Sequence, residues 1–206
     1  MAPGRLITVE GIDGAGKTTL VEALEAELVA RGVDIHVLRE PGGVRAAERV
    51  RELVKDPDLE IAPRAEALLY AAARAQLVCE ALNPLLASGR WILLDRFVDS
   101  SLAYQGAGRQ LGVGAVRAIN EFATGGVAPD RTLWLSLDPT TGRRRSRARG
   151  APTDRLEREH FAFFVRIERA YAELWRQEPE RIRRIDATQA PERVLKASLE
   201  ALSDLL

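Results

Sequence analysis

Residues 6–19, LITVEGIDGAGKTT, decide which fold this sequence predicts. Residues 6–10 form a short, mostly apolar run typical of a buried strand, and the segment after Lys17 has the pattern of a helix. Between them, residues 11–18 match G-x-x-x-x-G-K-[ST] in the strand-to-helix context that this motif requires. The stretch therefore predicts a phosphate-binding loop near the start of an α/β domain.

The residue types of this loop suit a nucleoside triphosphate. Its glycines allow positive φ and a close approach of the backbone, whose N–H groups form an anion cradle with the helix N-terminus. Lys17 adds positive charge for the β- and γ-phosphates, and the Thr18 hydroxyl suits Mg²⁺. The alternative is a glycine-rich turn with an incidental lysine, and a true phosphate site still leaves kinase, GTPase and ATPase functions open. The predicted nucleotide-binding residues are Gly11, Ile12, Asp13, Gly14, Ala15, Gly16, Lys17, Thr18 and Thr19.

The rest of the sequence alternates apolar runs with longer amphipathic segments. We expect one domain over residues 1–206, with a five-stranded, mostly parallel sheet and helices on both faces. The single cysteine, Cys79, lies in an apolar helical pattern and is predicted to pack in the core. Strands are expected at 6–10, 34–38, 91–95, 132–138 and 181–187. Helices are expected at about 17–31, after the turn at 40–43 and up to about 54, at about 65–87, after the glycine-rich segment 106–114 and up to about 123, at about 154–177, and from about 191.

Composition limits the possible partners. Lysine plus arginine and aspartate plus glutamate both number 30, so the formal net charge is zero. This balance argues against binding nucleic acid or an anionic membrane through bulk charge. No long apolar span and no signal-like N-terminus are present, so we expect a cytoplasmic protein without a membrane partner.

Asp95 and Arg96 end the apolar run WILLDR. A carboxylate at the carboxyl end of a parallel strand faces the ligand crevice, where Asp95 could hold Mg²⁺ through water. Arg96 suits a second phosphate in a bidentate contact. An ordinary surface ion pair is the alternative. The sequence has no NKxD segment, which argues against a GTPase, and no pair of acids at this point, which argues against a motor ATPase.

Six segments together resemble the thymidylate kinase family in its bacterial form. The resemblance implies a P-loop nucleoside monophosphate kinase fold and transfer of the γ-phosphoryl group of ATP to dTMP, with Mg²⁺ as cofactor. It also implies a homodimer formed through the long helices. The segments are GIDGAGKTT (11–19), REPGG (39–43), LLYAAARAQ (68–76), DRFVDSSLAYQG (95–106), DRLE (154–157) and IDATQ (185–189).

The resemblance also implies which residues bind dTMP. Arg74 is similar to the arginine that hydrogen-bonds a thymine carbonyl, and Tyr70 to the aromatic residue that stacks on the base; an aromatic core residue and a solvated arginine are the alternative. Gln105 can offer a donor and an acceptor to the pyrimidine edge. Tyr104 is expected to exclude a ribose 2′-hydroxyl, and the Glu40–Pro41 peptide is expected to be cis. The full implied set is Asp13, Glu40, Pro41, Tyr70, Arg74, Arg96, Ser100, Ser101, Tyr104 and Gln105.

The stretch RRRSRAR (143–149) holds five arginines in seven positions. We predict a mobile lid at about 143–153 whose arginines neutralise the charge that develops during phosphoryl transfer. Gly14 and Ala15 leave the phosphate-binding loop without an arginine, so the lid must provide that charge. A solvated basic face or a weak nucleic-acid patch is the alternative. The predicted catalytic residues are Lys17, Arg96, Arg149, Arg147 and Arg145.

Two other functions remain open at this point. One is a different P-loop nucleotide or deoxynucleoside kinase, for instance one that acts on dCMP. The other is a nucleotide-binding protein that has lost catalysis. Intact Lys17, Thr18, Asp95 and Arg96 argue against the second possibility.

Overall fold

The computed structural model describes residues 4–148, 155–156 and 158–206. Its sheet has five strands in the order β2-β3-β1-β4-β5, and every neighbouring pair is parallel. The predicted parallel sheet is therefore confirmed, and the loop after β1 lies at the middle of its carboxyl edge. The strands are β1 (Leu6–Glu10), β2 (Ile35–Arg39), β3 (Trp91–Asp95), β4 (Arg131–Ser136) and β5 (Ile182–Asp186).

Helices connect the strands and cover both faces of the sheet. The predicted helix at about 65–87 is confirmed as a continuous segment in which a π-helical turn, Val78–Leu82, joins α3 to α4. A second π-helical segment, Leu102–Gly108, follows α5. The helices are α1 (Lys17–Ala30), α2 (Arg45–Lys55), α3 (Pro63–Leu77), α4 (Asn83–Ala87), α5 (Val98–Ser101), α6 (Val113–Thr124), α7 (Pro139–Ala148), α8 (Phe161–Gln177) and α9 (Pro191–Glu200).

Hydrophobic side chains fill both faces of the sheet. On β1, Ile7 and Val9 belong to the larger cluster, which α1, α8 and α9 cover, whereas Leu6 belongs to the smaller one. On β3, Leu93 faces the larger cluster, and its neighbours Ile92 and Leu94 face the smaller one. This alternation follows from the two-residue period of a strand and explains why β1 and β3 read as nearly continuous apolar runs.

Two sequence predictions about the helices are wrong. Cys79 is exposed rather than packed in the core, because the buried face of this helix follows Ala71, Arg74 and Val78 and leaves Cys79 on the opposite side. Helix α8 begins at Phe161 and not near 154. The preceding Arg155 donates hydrogen bonds to the Val54 carbonyl and to Glu66, which hold that segment against α2 and α3 in a non-helical conformation.

No helix in the described part of the chain is both long and apolar enough to cross a membrane.

Candidate active site

The loop between β1 and α1 has the backbone that its glycines predicted. Gly11, Gly14 and Gly16 have φ values of +140°, +82° and +95°. Gly16 precedes α1 directly, so the N-terminal amides of that helix face the loop. A Cβ on Gly14 would clash with the carbonyl of Gly142, so the glycine lets α7 pack against the loop. That contact brings the arginine-bearing helix to the phosphate-binding site.

Lys17 is buried under this loop. Its Nζ donates hydrogen bonds to the carbonyl oxygens of Gly11 and Ile12, each at 3.1 Å, and lies 3.9 Å from the Asp13 carboxylate. Burial lowers the pKa of Lys17 to about 8, an effect that the nearby Arg96 reinforces. The loop carbonyls thus hold the ammonium group at the site where the sequence predicts phosphates. Ile12 and Ala15 have side chains in the core, so only their backbone atoms can face a nucleotide.

Arg96 connects the phosphate-binding loop to the segment after β3. Its φ is +71°, a left-handed conformation that residues other than glycine rarely adopt. The guanidinium donates hydrogen bonds to Asp13 at 2.8 Å, to Ser100 at 3.1 Å and to the Tyr104 hydroxyl at 3.2 Å. It also lies 5.0 Å from the centre of the Tyr104 ring, within cation–π range. Although burial alone raises the pKa of Asp13, Arg96 and Lys17 lower that pKa to about 2.

Glu10, at the end of β1, was not predicted from the sequence. It is linked to Arg96 through Ser100, whose hydroxyl donates to Glu10 and accepts a hydrogen bond from Arg96. Its carboxylate accepts hydrogen bonds from the Phe97 N–H at 2.7 Å, the Ser100 hydroxyl at 2.6 Å and the Tyr171 hydroxyl at 2.8 Å. Burial and the nearby Asp99 carboxylate raise the pKa of Glu10 to about 7. The available signal was the position of Glu10 at the carboxyl end of an apolar strand, the edge of a parallel sheet where ligand-binding residues lie.

Arg74 lies in the buried part of the site, on the same face of α3 as Tyr70. All five of its N–H donors already have acceptors, which belong to Glu40, Ser101, Asn120 and the Phe97 carbonyl. The implied hydrogen bond from Arg74 to a thymine carbonyl therefore requires one of these contacts to be shared or exchanged. The Glu40–Pro41 peptide is cis, as predicted.

A cavity of about 570 Å³ brings most of the predicted residues together. Gly11, Ile12, Ala15 and Arg147 are not among the residues that border it, and Arg149 lies outside the described residues. Arg145 does border it and donates a hydrogen bond of 2.8 Å to the Ala187 carbonyl. The predicted residues that line the cavity are Asp13, Gly14, Gly16, Lys17, Thr18, Thr19, Glu40, Pro41, Tyr70, Arg74, Asp95, Arg96, Ser100, Ser101, Tyr104, Gln105 and Arg145.

Four further residues line the cavity and were missed: Arg39, Arg51, Lys55 and Leu156. Arg39 ends β2 at the same edge of the sheet as Asp95, so its position resembled that of the predicted site residues. Arg51 and Lys55 lie four residues apart on one face of α2, and Arg51 donates to the Pro41 carbonyl at 2.8 Å. Burial and the nearby Arg39 lower the pKa of Arg51. These cations make the cavity more positive than the motifs alone indicated.

Asp95 and Thr18 both border the cavity and have the chemistry of Mg²⁺ ligands. The buried Oδ1 of Asp95 has no hydrogen-bond partner among the described residues, which fits an oxygen reserved for a metal ion or its water. Within those same residues, no group of three or more His, Cys, Asp or Glu side chains could hold a metal. One carboxylate and one hydroxyl suit Mg²⁺, which usually keeps water and substrate phosphates as its other ligands.

This strand order, with a phosphate-binding loop after the central strand and an arginine-rich helix packed on that loop, defines a P-loop nucleoside monophosphate kinase. Comparisons with known proteins give the family. The family model for thymidylate kinase matches residues 9–197. The thymidylate kinase of Deinococcus radiodurans is 49% identical over 98% of this chain and 97% of its own length. That of Lactobacillus delbrueckii subsp. bulgaricus is 46% identical over 96% of this chain and 94% of its own length.

The chain belongs to the thymidylate kinase family. It catalyses the reaction of this family, which is the transfer of the γ-phosphoryl group of ATP to dTMP. The comparisons give no support to a kinase for another nucleotide or to an inactive nucleotide-binding protein.

Proposed function

We propose that the 570 Å³ cavity holds both substrates and that Arg96 lies between them. The observation that carries this proposal is the contact of Arg96 with Asp13, because it joins the ATP-binding loop to the segment with the dTMP-facing residues. Lys17 and the loop amides bind the β- and γ-phosphates of ATP. Arg96 and Ser100 bind the dTMP phosphate, and Asp13 lies beside its sugar.

The pyrimidine occupies the part of the cavity lined by α3 and by the segment after α5. Tyr70 stacks on the base, while Arg74 and Gln105 face its polar edge, with Ser101 beside them. Glu40 and Pro41 border the nucleotide, and the buried Oε1 of Glu40, which lacks a partner among the described residues, is a free acceptor for it. Tyr104, held by Arg96 and Asp13, crowds the position of a ribose 2′-hydroxyl.

The chemistry requires positioning and charge rather than a general base. The dTMP phosphate is largely ionised at neutral pH, so its oxygen attacks the γ-phosphorus in line and ADP leaves. Lys17 and Arg96 hold the charge that develops between donor and acceptor. Thr18 and Asp95 would hold Mg²⁺, which neutralises phosphate charge when bound.

The arginine-rich segment at about 143–153 acts as a lid on this single domain. Arg145 borders the cavity, and its hydrogen bond to the Ala187 carbonyl joins the base of the lid to the loop after β5. We expect the adenine to lie between these two segments. Arg147 and Arg149 are the other candidates for contact with the transferring phosphoryl group.

One steady-state experiment tests the substrate and the metal together. The chain is assayed with ATP and each of dTMP, dUMP, dCMP and thymidine, with Mg²⁺ and with excess EDTA. We expect dTMP to have the highest kcat/KM, and we expect EDTA to abolish turnover until Mg²⁺ is restored. A better acceptor than dTMP would contradict the substrate assignment, and full turnover in EDTA would contradict the metal assignment.

We also propose that the chain acts in the cytoplasm, which cell fractionation would test. We further propose that it forms a homodimer through α3 and α6. On these two helices, which pack against each other, Leu68 is 57% exposed and Phe122 is 93% exposed. Phe122 in particular leaves almost its whole aromatic ring in solvent, and an interface between two copies would bury it. Sedimentation should give about twice the chain mass of 22.7 kDa.

A charge in this interface should dissociate the dimer. Phe122→Glu is expected to shift the sedimenting species toward the monomer, because it places a carboxylate in an apolar contact. The matched control is Val29→Glu, also an exposed apolar residue on a helix. Its helix, α1, packs mainly on α9 and on β1, β2 and β3 rather than on α3 or α6. A wild-type protein that sediments as a monomer would contradict the proposal.

A further inference from the structure

Glu66 is a fully buried carboxylate on α3 that the proposed mechanism does not use. It accepts hydrogen bonds from three side chains in two other parts of the chain. The side-chain amide nitrogen of Gln105 donates to Glu66 Oε1 at 2.9 Å. Arg109 donates to both carboxylate oxygens, at 3.2 and 3.0 Å, and Arg155 donates to Oε2. The only one of these partners that borders the cavity is Gln105.

Arg109 and Arg155 donate hydrogen bonds to both oxygens of Glu66, and a guanidinium group can only donate, so both oxygens act as acceptors. Gln105 must therefore turn its NH₂ group toward Glu66, since its carbonyl oxygen would meet another acceptor there. This orientation follows from the chemistry of the pair, since the NH₂ group is the donor of the amide. The carbonyl oxygen of Gln105 consequently lies on the side away from Glu66.

The partners of Glu66 are themselves held in place. Arg109 also pairs with Glu159 and lies 5.0 Å from the centre of the Phe163 ring, while Arg155 also donates to the Val54 carbonyl. The carboxylate therefore cannot easily move to accommodate a reversed amide. Reversing Gln105 would place two acceptors against each other in a buried environment, which is strongly unfavourable.

We propose that Glu66 is a positioning residue that fixes the polarity of the Gln105 amide and thereby favours thymine over cytosine. This inference rests on the proposed contact of Gln105 with the base. The N3 atom of thymine carries a hydrogen, whereas N3 of cytosine is an acceptor. A Gln105 carbonyl oxygen of fixed orientation accepts a hydrogen bond from thymine N3–H, whereas it is repelled by the lone pair of cytosine N3. Glu66 therefore acts on base selection without touching the substrate.

The test is the ratio of kcat/KM for dTMP to that for dCMP in Glu66→Gln. The introduced amide can keep its oxygen at the position that accepts from Arg155 and from Nη2 of Arg109. Its NH₂ group then faces Gln105 and loses only the hydrogen bond from Nε of Arg109, so the Gln105 amide can reverse. We expect the ratio to fall by about 10-fold, the scale of one net hydrogen bond. Glu66→Asp, which keeps the charge, should retain the wild-type ratio even where both kcat/KM values fall. Thermal unfolding shows whether each variant folds.

The outcomes separate this inference from the proposal on which it rests. If Gln105→Ala lowers the ratio but Glu66→Gln leaves it unchanged, Gln105 reads the base and the role of Glu66 is overturned. If Gln105→Ala leaves the ratio unchanged, the base contact itself fails, and the inference fails with it. Equal losses for dTMP and dCMP in Glu66→Gln indicate a merely structural role and also overturn it.

A second measurement uses the wild-type protein and does not depend on the folding of a variant. In a crystal structure with dTMP bound, the Gln105 amide should keep its contact of about 2.9 Å with Glu66 while its other polar atom lies within hydrogen-bond distance of thymine N3. A Gln105 side chain that leaves Glu66 to bind the base would overturn the inference.

Discussion

Replacing Lys17 with methionine should lower kcat by about 10²–10³-fold, the effect expected when one preorganised charge donor is removed from a reaction centre. Methionine keeps most of the apolar stem and removes only the ammonium group. In the structure that group is buried and is bonded to the Gly11 and Ile12 carbonyls, so it is already positioned before the phosphates arrive. Steady-state kinetics with saturating ATP and dTMP would measure the loss.

The control for Lys17→Met is Lys196→Met on α9, where the ammonium group is exposed and makes a surface ion pair with Glu200. A surface pair of this kind contributes little, so kcat and thermal unfolding should both stay near wild type. Near-normal kcat in a folded Lys17→Met protein would contradict the role of Lys17. Loss of folding in that variant would instead show that the ammonium group mainly holds the loop carbonyls.

Replacing Arg96 with lysine is expected to lower kcat/KM for dTMP by about 10²-fold and to leave KM for ATP within a few-fold of wild type. Lysine keeps the charge but cannot reproduce the planar fork with which Arg96 contacts Asp13, Ser100 and Tyr104. The variant would therefore lose the rigid placement of charge next to the acceptor phosphate. Initial rates with each substrate varied in turn would separate the two effects.

Arg90→Lys is the matched control for Arg96→Lys. Arg90 directly precedes β3 and Arg96 directly follows it, but Arg90 is exposed and pairs with Asp34. It should have no measurable effect on either substrate. An Arg96→Lys protein that raises KM for ATP as much as KM for dTMP would place Arg96 on the donor side of the reaction. Wild-type kcat/KM for dTMP would contradict the need for the planar fork of Arg96.

The phosphate-binding loop and the sheet could be predicted because they depend on local physical chemistry. Positive φ at Gly11, Gly14 and Gly16 and the N-terminus of α1 are properties of a few consecutive residues. Continuous apolar runs of five or six residues require strands that are buried on both faces. Family resemblance then related the separate segments to one substrate, and most of the residues that it implied line one cavity.

The partners of the buried polar groups could not be predicted in this way. Glu10 is joined to Tyr171 across 161 residues, and Glu66 to Gln105 across 39. Nothing near Glu66 in the sequence distinguishes it from a solvated helix residue. The exposure of Cys79 depends in the same way on which face of its helix packs inward, and the apolar periodicity alone did not reveal that face.

By itself, the sequence determined the loop that we propose to bind phosphates, since a loop and a helix start of about ten residues carry the geometry and the charge. Only the tertiary structure decided how the arginines are held. Arg96 is fixed by Asp13 and Ser100, and Arg74 has all five donors occupied. The physical reason is that a buried charge must find its partners wherever the packed fold brings them, and those partners come from distant segments.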